Sequence, residues 1–306
     1  MKIVVIGSSN TDMIIKVPHL PKTGETILGG SFYSAAGGRG ANQAVAAARA
    51  GGEVTFIARV GNDMFGDRAI ESFKEEGINT DHIVKDNDLP SGVAEILSDE
   101  NGQNLIAVAS GANMNLSVYD IINAKQAIMK ADIILMQLEI PLKTLEYAVK
   151  LADDAGKRFI LNPAPAQQLP ISLLKKVPVL TPNEKEAEVL TGIRVEDEDS
   201  AEDAGKILLS KGVSKVIVTL GSRGAMVLDS SGAELVQGFE IKPVDTTAAG
   251  DVFNGALAVA VAESKNFFEA VKFANAACAL SIAKKGAQSS APQRNEILKF
   301  IKDNIL

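Results

Sequence analysis

The chain has 306 residues, 46% of them apolar and 23% charged, with a net charge of −7 and an isoelectric point near 5.1. That balance is ordinary for a globular protein, and the acidic sign argues against a nucleic-acid partner, which would need a basic face. No apolar run reaches the length of a membrane span and no signal-peptide pattern precedes Lys2, so the expectation is a cytoplasmic protein without membrane contact.

The length allows one large α/β domain or two small ones. Lys2–Gly7 (KIVVIG) is a short apolar run ending in glycine, the pattern of a buried strand. Asn10 and Asp12 follow, two apart on an extended stretch, with side chains on one side and able to chelate a vicinal diol. A plain Asx turn explains the pair as well. Asp12–Val17 is a second apolar run, broken by Pro18 and Pro21, and residues 24–38 are rich in Gly, Ser and Thr. Gly37-Gly38-Arg39-Gly40-Ala41-Asn42-Gln43 then leads into helix-like residues 40–49. Its glycines suit either close packing or close approach to an oxygen-rich ligand. The spacing of a Walker P-loop is missing, and so is the third glycine of a dinucleotide fingerprint.

Strand-like and helix-like segments alternate from there. Strands are predicted at 54–60, 133–137, 158–162, 177–181 and 215–220, and helices at 65–76, 142–154, 184–190 and 201–209. This rhythm predicts a mostly parallel sheet with helices on both faces. Residues about 12–38 and 91–110 interrupt it with hairpin character, the second around an Asn101-Gly102 turn signal. The economical reading is one small sheet built from both insertions, projecting near the functional edge. Helices are predicted at 249–264, about 267–284 and 293–305. Cys278 lies in an Ala-rich helical run and reads as a core residue. The two histidines, His19 and His82, occupy loop-like surroundings, which makes a His-based metal site or a Ser-His-Asp triad unlike this chain.

Several strand ends and helix starts carry chemistry. Glu139 sits just beyond the 133–137 strand, and Asn162-Pro163-Ala164-Pro165 caps the next one, both on the edge where α/β proteins assemble sites. Asn183 and Glu186 share a face at a helix start. A capping box and an acid ordering the water shell of Mg²⁺ explain them equally. Thr219-Leu220-Gly221-Ser222-Arg223-Gly224 ends a strand in a turn that suits either a nucleotide border or a simple hairpin. The most informative stretch is Asp245-Thr246-Thr247-Ala248-Ala249-Gly250-Asp251 with Asn254-Gly255 behind it. Small residues opening a helix leave backbone N–H groups free for an anion, and Asp251 beside them is placed to take a proton from an attacking hydroxyl. Capping alone is the bland alternative. Jointly, these pieces point to phosphoryl transfer to an alcohol.

In this order the motifs resemble the PfkB-type carbohydrate kinase family, over nearly the whole chain and most specifically at 37–42 and 245–255. Narrower likenesses are Gly7–Asp12, Gly40–Ala47, Leu138-Glu139, 161–166, 219–224 and Lys285-Gly286-Ala287-Gln288. The resemblance implies a single domain over residues 1–306, an α/β/α three-layer sandwich with a mostly parallel central sheet and a small β-sheet lid. It implies ATP-dependent phosphorylation of D-ribose at O5, with Asp251 as base and the amides of Ala248, Ala249 and Gly250 as anion hole. Asn10, Asp12, Gly38, Arg39, Asn42 and Glu139 would hold the sugar; Arg39 stands where the ribose-phosphorylating members usually carry lysine. Asn183, Thr219, Gly221, Ser222, Gly224, Gly250 and Asn275 would border ATP, with Glu186 acting on Mg²⁺ through water. An activating monovalent cation, usually K⁺, would be held by Asp245, Thr247, Ser281, Lys284, Gly286 and Ser290. A homodimer through the lid sheet is implied as well. A sibling kinase acting on deoxyribose, fructose or a nucleoside is the runner-up. A non-catalytic sensor would be expected to lack the base or the anion-hole glycine, and a nicotinamide dehydrogenase fails for want of the fingerprint and a catalytic His.

Overall fold

The computed structural model describes residues 1–100, 103–263 and 266–304. The chain opens with β1 (Lys2–Ile6) and β2 (Asn10–Lys16), returns along β3 (Ser31–Gly37) and enters α1 (Arg39–Arg49). It continues through β4 (Glu53–Gly61), α2 (Met64–Glu75), β5 (Asn79–Asp86), β6 (Gly92–Ser98) and β7 (Asn104–Ala109). A 3₁₀ turn at Gly111–Asn115 precedes the short helices α3 (Val118–Asn123) and α4 (Lys125–Lys130). Next come β8 (Ile133–Met136), α5 (Leu142–Asp154), β9 (Phe159–Leu161), α6 (Ile171–Leu174) and β10 (Val179–Leu180). Helices α7 (Glu184–Thr191) and α8 (Glu198–Ser210) lead to β11 (Lys215–Thr219), β12 (Gly224–Asp229) and β13 (Gly232–Gln237). Three helices finish the chain: α9 (Ala249–Ala262), α10 (Phe267–Ile282) and α11 (Arg294–Asp303).

Among the described residues one sheet runs β13-β12-β11-β10-β9-β8-β1-β4-β5, parallel except for β12 and β13. Its strands are apolar on both sides because both are covered. Ile3, Val5, Phe56 and Leu135 point into a core shared with α1, α9, α10 and α11. Val4, Ile6, Ile57 and Met136 point into a second core with α3 to α8. This is the three-layer α/β/α arrangement that the alternating rhythm predicted.

A second sheet, β3-β2-β6-β7, joins the two insertions. β2 pairs antiparallel with β3 but parallel with β6, so the two hairpins are stitched side by side. The Asn101-Gly102 turn signal lies outside the described residues, as do residue 264 of the predicted 249–264 helix and residue 305 of the last one. The sequence reading left out β5, the β12–β13 hairpin and helices α3 and α4. β10 is also only two residues long where five were predicted.

Candidate active site

The C-terminal ends of β1, β8, β9 and β10 converge below the starts of α1 and α9. α9 opens at Ala248, whose φ of 59° makes it the one non-glycine residue with positive φ among those described. That left-handed step costs about 1 kcal/mol for an alanine, and it turns the chain sharply into the helix. Ala249 N–H donates to the Thr246 carbonyl at 3.2 Å, whereas the amides of Gly250 and Asp251 have no protein acceptor among the described residues. Gly250 itself is exposed, and a Cβ there would meet open space. The helix start is thus an open, electropositive cradle for an anion.

Asp251, in the first turn of α9, is 3% exposed. Its Oδ2 accepts from Asn42 Nδ2 at 3.0 Å and its Oδ1 from Gln43 Nε2 at 2.9 Å. Burial pushes its pKa up; the Arg39 guanidinium, 3.9 Å away, and the two amides pull against that, while Glu139 adds to it. The result is a buried carboxylate held by fixed dipoles, with its pKa raised toward the range a general base needs. Asn42 Oδ1 is buried without a partner among the described residues.

Asn10 and Asp12 lie two apart on β2 and therefore on one face, as the spacing predicted. Burial, then the negative charges of Glu139 and Asp251, push Asp12 up to about 6. Asn10 Oδ1 accepts from Asn113 Nδ2 at 2.7 Å, and Asn113 also ties down both backbone groups of Ser9. Glu139 takes the Ser8 hydroxyl at 2.5 Å and the Arg39 amide at 3.0 Å, with the Arg39 Nε at 3.5 Å. Gly38 caps α1 with φ 88°, and a side chain there would press within 2.7 Å of the Asn10 amide. The Gly-Gly-x-Gly turn is therefore a packing device that brings Asn10, Asp12, Asn42 and Asp251 together.

Along the sheet, Asn183 and Glu186 form a reciprocal capping box, at 2.8 and 2.9 Å. Glu186 is 4% exposed, and burial raises its pKa although the Asn183 amide and Arg39 oppose this. Glu186 Oε2 accepts from the Asn183 amide and caps the helix, so the capping-box reading of the N-x-x-E start is borne out. Asn183 bridges to Thr219, which brings the 219–224 turn alongside. Gly221 and Ser222 are exposed on it, while Gly224 is buried with φ 100° and serves the antiparallel turn into β12. Asn275 on α10 donates to the carbonyls of Val236 and Gln237, anchoring the end of β13.

The third cluster lies behind the anion cradle. Asp245 accepts from the Thr247 amide and hydroxyl at 2.9 and 2.6 Å and from the Gly286 amide at 2.9 Å. Burial works against its charge, but these hydrogen bonds hold it below the usual carboxylate range. Val244 and Asp245 amides bond the Ile282 carbonyl, which draws the 281–286 turn against the loop. Ser290 is buried and donates to the Ala287 carbonyl, and the Lys284 ammonium is turned away toward Glu296. Four residues with a structural part in the site, Ser8, Gln43, Asn113 and Gln137, carried no functional reading in the sequence.

The family profile described as pfkB family carbohydrate kinase matches residues 1–294. A ribokinase from Haemophilus influenzae is 45% identical over 299 residues, 98% of this chain and 98% of that protein. A deoxyribokinase from Salmonella typhimurium is 38% identical over 305 residues, 99% of this chain and all of that protein. Among solved structures, Arabidopsis thaliana ribokinase complexed with ribose and ATP superposes with a TM-score of 0.92 at 34% identity, covering 98% of each chain. With its profile, its relatives and its sheet-edge carboxylate all agreeing, this chain belongs to the pfkB family of carbohydrate kinases.

Proposed function

We propose that this protein transfers the γ-phosphoryl group of ATP to O5 of D-ribose. The observation that carries the reading is a buried, amide-held Asp251 in the same helical turn as two open backbone amides. The carboxylate takes the proton of the 5-hydroxyl as that oxygen attacks the γ-phosphorus. The amides beside it bear the charge that gathers on the transferred oxygens, and ADP leaves on the far side. Asn10, Asp12 and the free Asn42 carbonyl hold the sugar hydroxyls, and Glu139 stiffens the Arg39 turn against them. Asn183, Gly221, Ser222 and the strand end tied by Asn275 border the nucleotide. The ribokinase and ribose–ATP relatives support this substrate pair.

Mg²⁺ supplies charge neutralisation on the phosphates, and the uncapped oxygen of Glu186 suits it through a water molecule. A K⁺ site fits the 245–290 cluster, whose donors are all hard oxygens: the Asp245 carboxylate, the Thr247 and Ser290 hydroxyls, and nearby carbonyls of Ser281, Lys284 and Gly286. The whole chain acts as one domain, with the β3-β2-β6-β7 sheet as a lid over the sugar and as the contact between two subunits. No helix among the described residues is long and apolar enough to cross a membrane, in keeping with a cytoplasmic enzyme.

A sugar-panel assay with ATP and Mg²⁺, with and without K⁺, tests the reading. Ribose is expected to be the preferred acceptor, and Asp251→Asn to lower kcat by about 10²–10⁴ while ribose still binds. A near-normal kcat in that variant refutes the assignment of the base. The deoxyribokinase relative keeps 2-deoxyribose as the second candidate. Equal kcat/KM for the two sugars would favour it, because a clamp for the 2,3-diol gains nothing from a missing hydroxyl.

A further inference from the structure

Beneath Asp251 runs a row of buried polar side chains that the proposed chemistry does not use. Gln137, Asn162 and Thr181 are the first residues past β8, β9 and β10, three adjacent strands, so they stand side by side below α9. Gln43 reaches them from α1. Gln43 and Gln137 have no exposed surface, and Asn162, Thr181 and Asn254 are nearly as buried. Gln137 Nε2 donates to Gln43 Oε1 at 2.6 Å. Gln43 Nε2 donates to Asp251 Oδ1 at 2.9 Å and to Asn162 Oδ1 at 3.1 Å. Asn162 Nδ2 donates to the Thr181 carbonyl at 3.0 Å. The Thr181 hydroxyl donates to Asn254 Oδ1 at 2.6 Å, and Asn254 Nδ2 to the Gly250 carbonyl at 2.8 Å.

The direction of this row does not depend on which amide atom is drawn as nitrogen. A main-chain carbonyl only accepts, so Asn162 must turn its NH₂ to Thr181 and its oxygen to Gln43. Gln43 must then present NH₂ to both Asn162 and Asp251, and its oxygen to Gln137. The links through Asn162, Gln43 and Gln137 follow from the fixed peptide at Thr181, and the orientation of Asn254 follows from the Gly250 carbonyl.

We propose that Gln43 is a positioning residue for the general base: Gln137 and Asn162 lock its amide so that it aims Asp251 at the cleft and keeps it ionised. The far end of the row holds the Gly250 peptide, so base and anion cradle are set by one scaffold. This inference rests on the reading of Asp251 as the base. Other charged groups around that carboxylate are Arg39, Glu139, Asp12 and Glu186, and of these only Arg39 favours its ionised form. In a site that burial already drives toward the neutral acid, losing the Gln43 donor shifts the balance further that way.

The experiment is the pH dependence of kcat and of both KM values for the full-length wild type, Gln43→Met, Gln137→Met and Asp251→Asn. Methionine keeps the length of glutamine and removes the donors. Gln43→Met is expected to move the acid limb of kcat up by about one pH unit or more, and to cut the plateau by about tenfold, with KM values nearly unchanged. Gln137→Met is expected to move the same limb in the same direction by less. A limb that stays in place in Gln43→Met, or a loss that falls on KM alone, overturns the proposal. If Gln43→Met does not fold, as circular dichroism would reveal, Gln137→Met decides by the same limb. Asp251→Asn separates the two ideas: wild-type kcat there refutes the base, whereas its inactivity with an unmoved Gln43→Met limb refutes only the positioning role.

Discussion

Asp12 reports on the site before any sugar arrives. Its raised value, near 6, means that the free folded protein holds this proton more firmly than the unfolded chain does. Its contribution to stability is therefore complete below about pH 4 and is lost as the pH rises through about 6. A sugar hydroxyl that donates to the carboxylate draws the equilibrium the other way, so binding expels the proton. The expected outcome is a KM for ribose that rises as pH falls through about 6, and a flatter profile in Asp12→Asn. A ribose KM that stays level across this range would show that Asp12 does not hold the sugar. Asp12, Asn10 and Asp251 were legible as candidates because each puts a carboxylate or amide at a strand start or helix start, although a turn or a cap explains such a residue locally. Gln43 was not, since its partner Asp251 lies 208 positions away and an amide inside an Ala-rich helix looks like filler. Ser8, whose hydroxyl meets Glu139 131 positions on, hid in the same way.

At the scale of elements, the site depends on how closely two helices approach. α1 and α9 meet through Ala46, Ala47 and Gly255, and a Cβ on Gly255 would lie 2.7 Å from both Ala46 Cβ and the Gln43 carbonyl. Glycine there is a spacing choice, because α1 carries Asn42 and Gln43 and α9 carries Asp251. Gly255→Val is expected to cost about 1–3 kcal/mol through overpacking and to lower kcat more than it raises KM. Thermal unfolding together with steady-state kinetics checks this; a lowered Tm with unchanged kcat would show that helix separation does not govern the base. The sequence pattern predicted both helices, at 40–49 and 249–264, but not that they pack on each other. Among strands, apolar runs gave β1, β4, β8, β9 and β11 because burial on both faces leaves a continuous signal. β5 escaped because NTDHIVKD is an edge strand with a polar face, and β10 because two residues carry almost no pattern.

Among the described residues, the small sheet leaves apolar side chains uncovered on both of its faces. Pairing aligns Phe32, Ile15, Leu97 and Leu105 across one face of the small sheet, and Tyr33, Ile14, Ile96 and Ile106 across the other. Phe32, Tyr33, Leu105, Ile106 and Val108 are each about half exposed or more, and every residue of β7 is exposed. A thin sheet that is apolar on both sides at its outer end calls for another protein layer. Sedimentation should give a dimer for the wild type and a smaller species for Phe32→Asp combined with Ile106→Asp; a monomeric wild type would refute the subunit contact. The βαβ rhythm foretold the main sheet, and the two interruptions foretold the small one. Their parallel seam between β2 and β6 was hidden, since no turn joins them. The amide row beneath Asp251 adds a constraint of another kind. Gln43 and Asn162 each give and receive along a fixed direction, and Gln137 gives its Nε2 hydrogen to Gln43, so replacing any one of them strands a partner. Drift at Gln43, Gln137 and Asn162 is then permitted only in concert, and energies measured for their single and double replacements will not add.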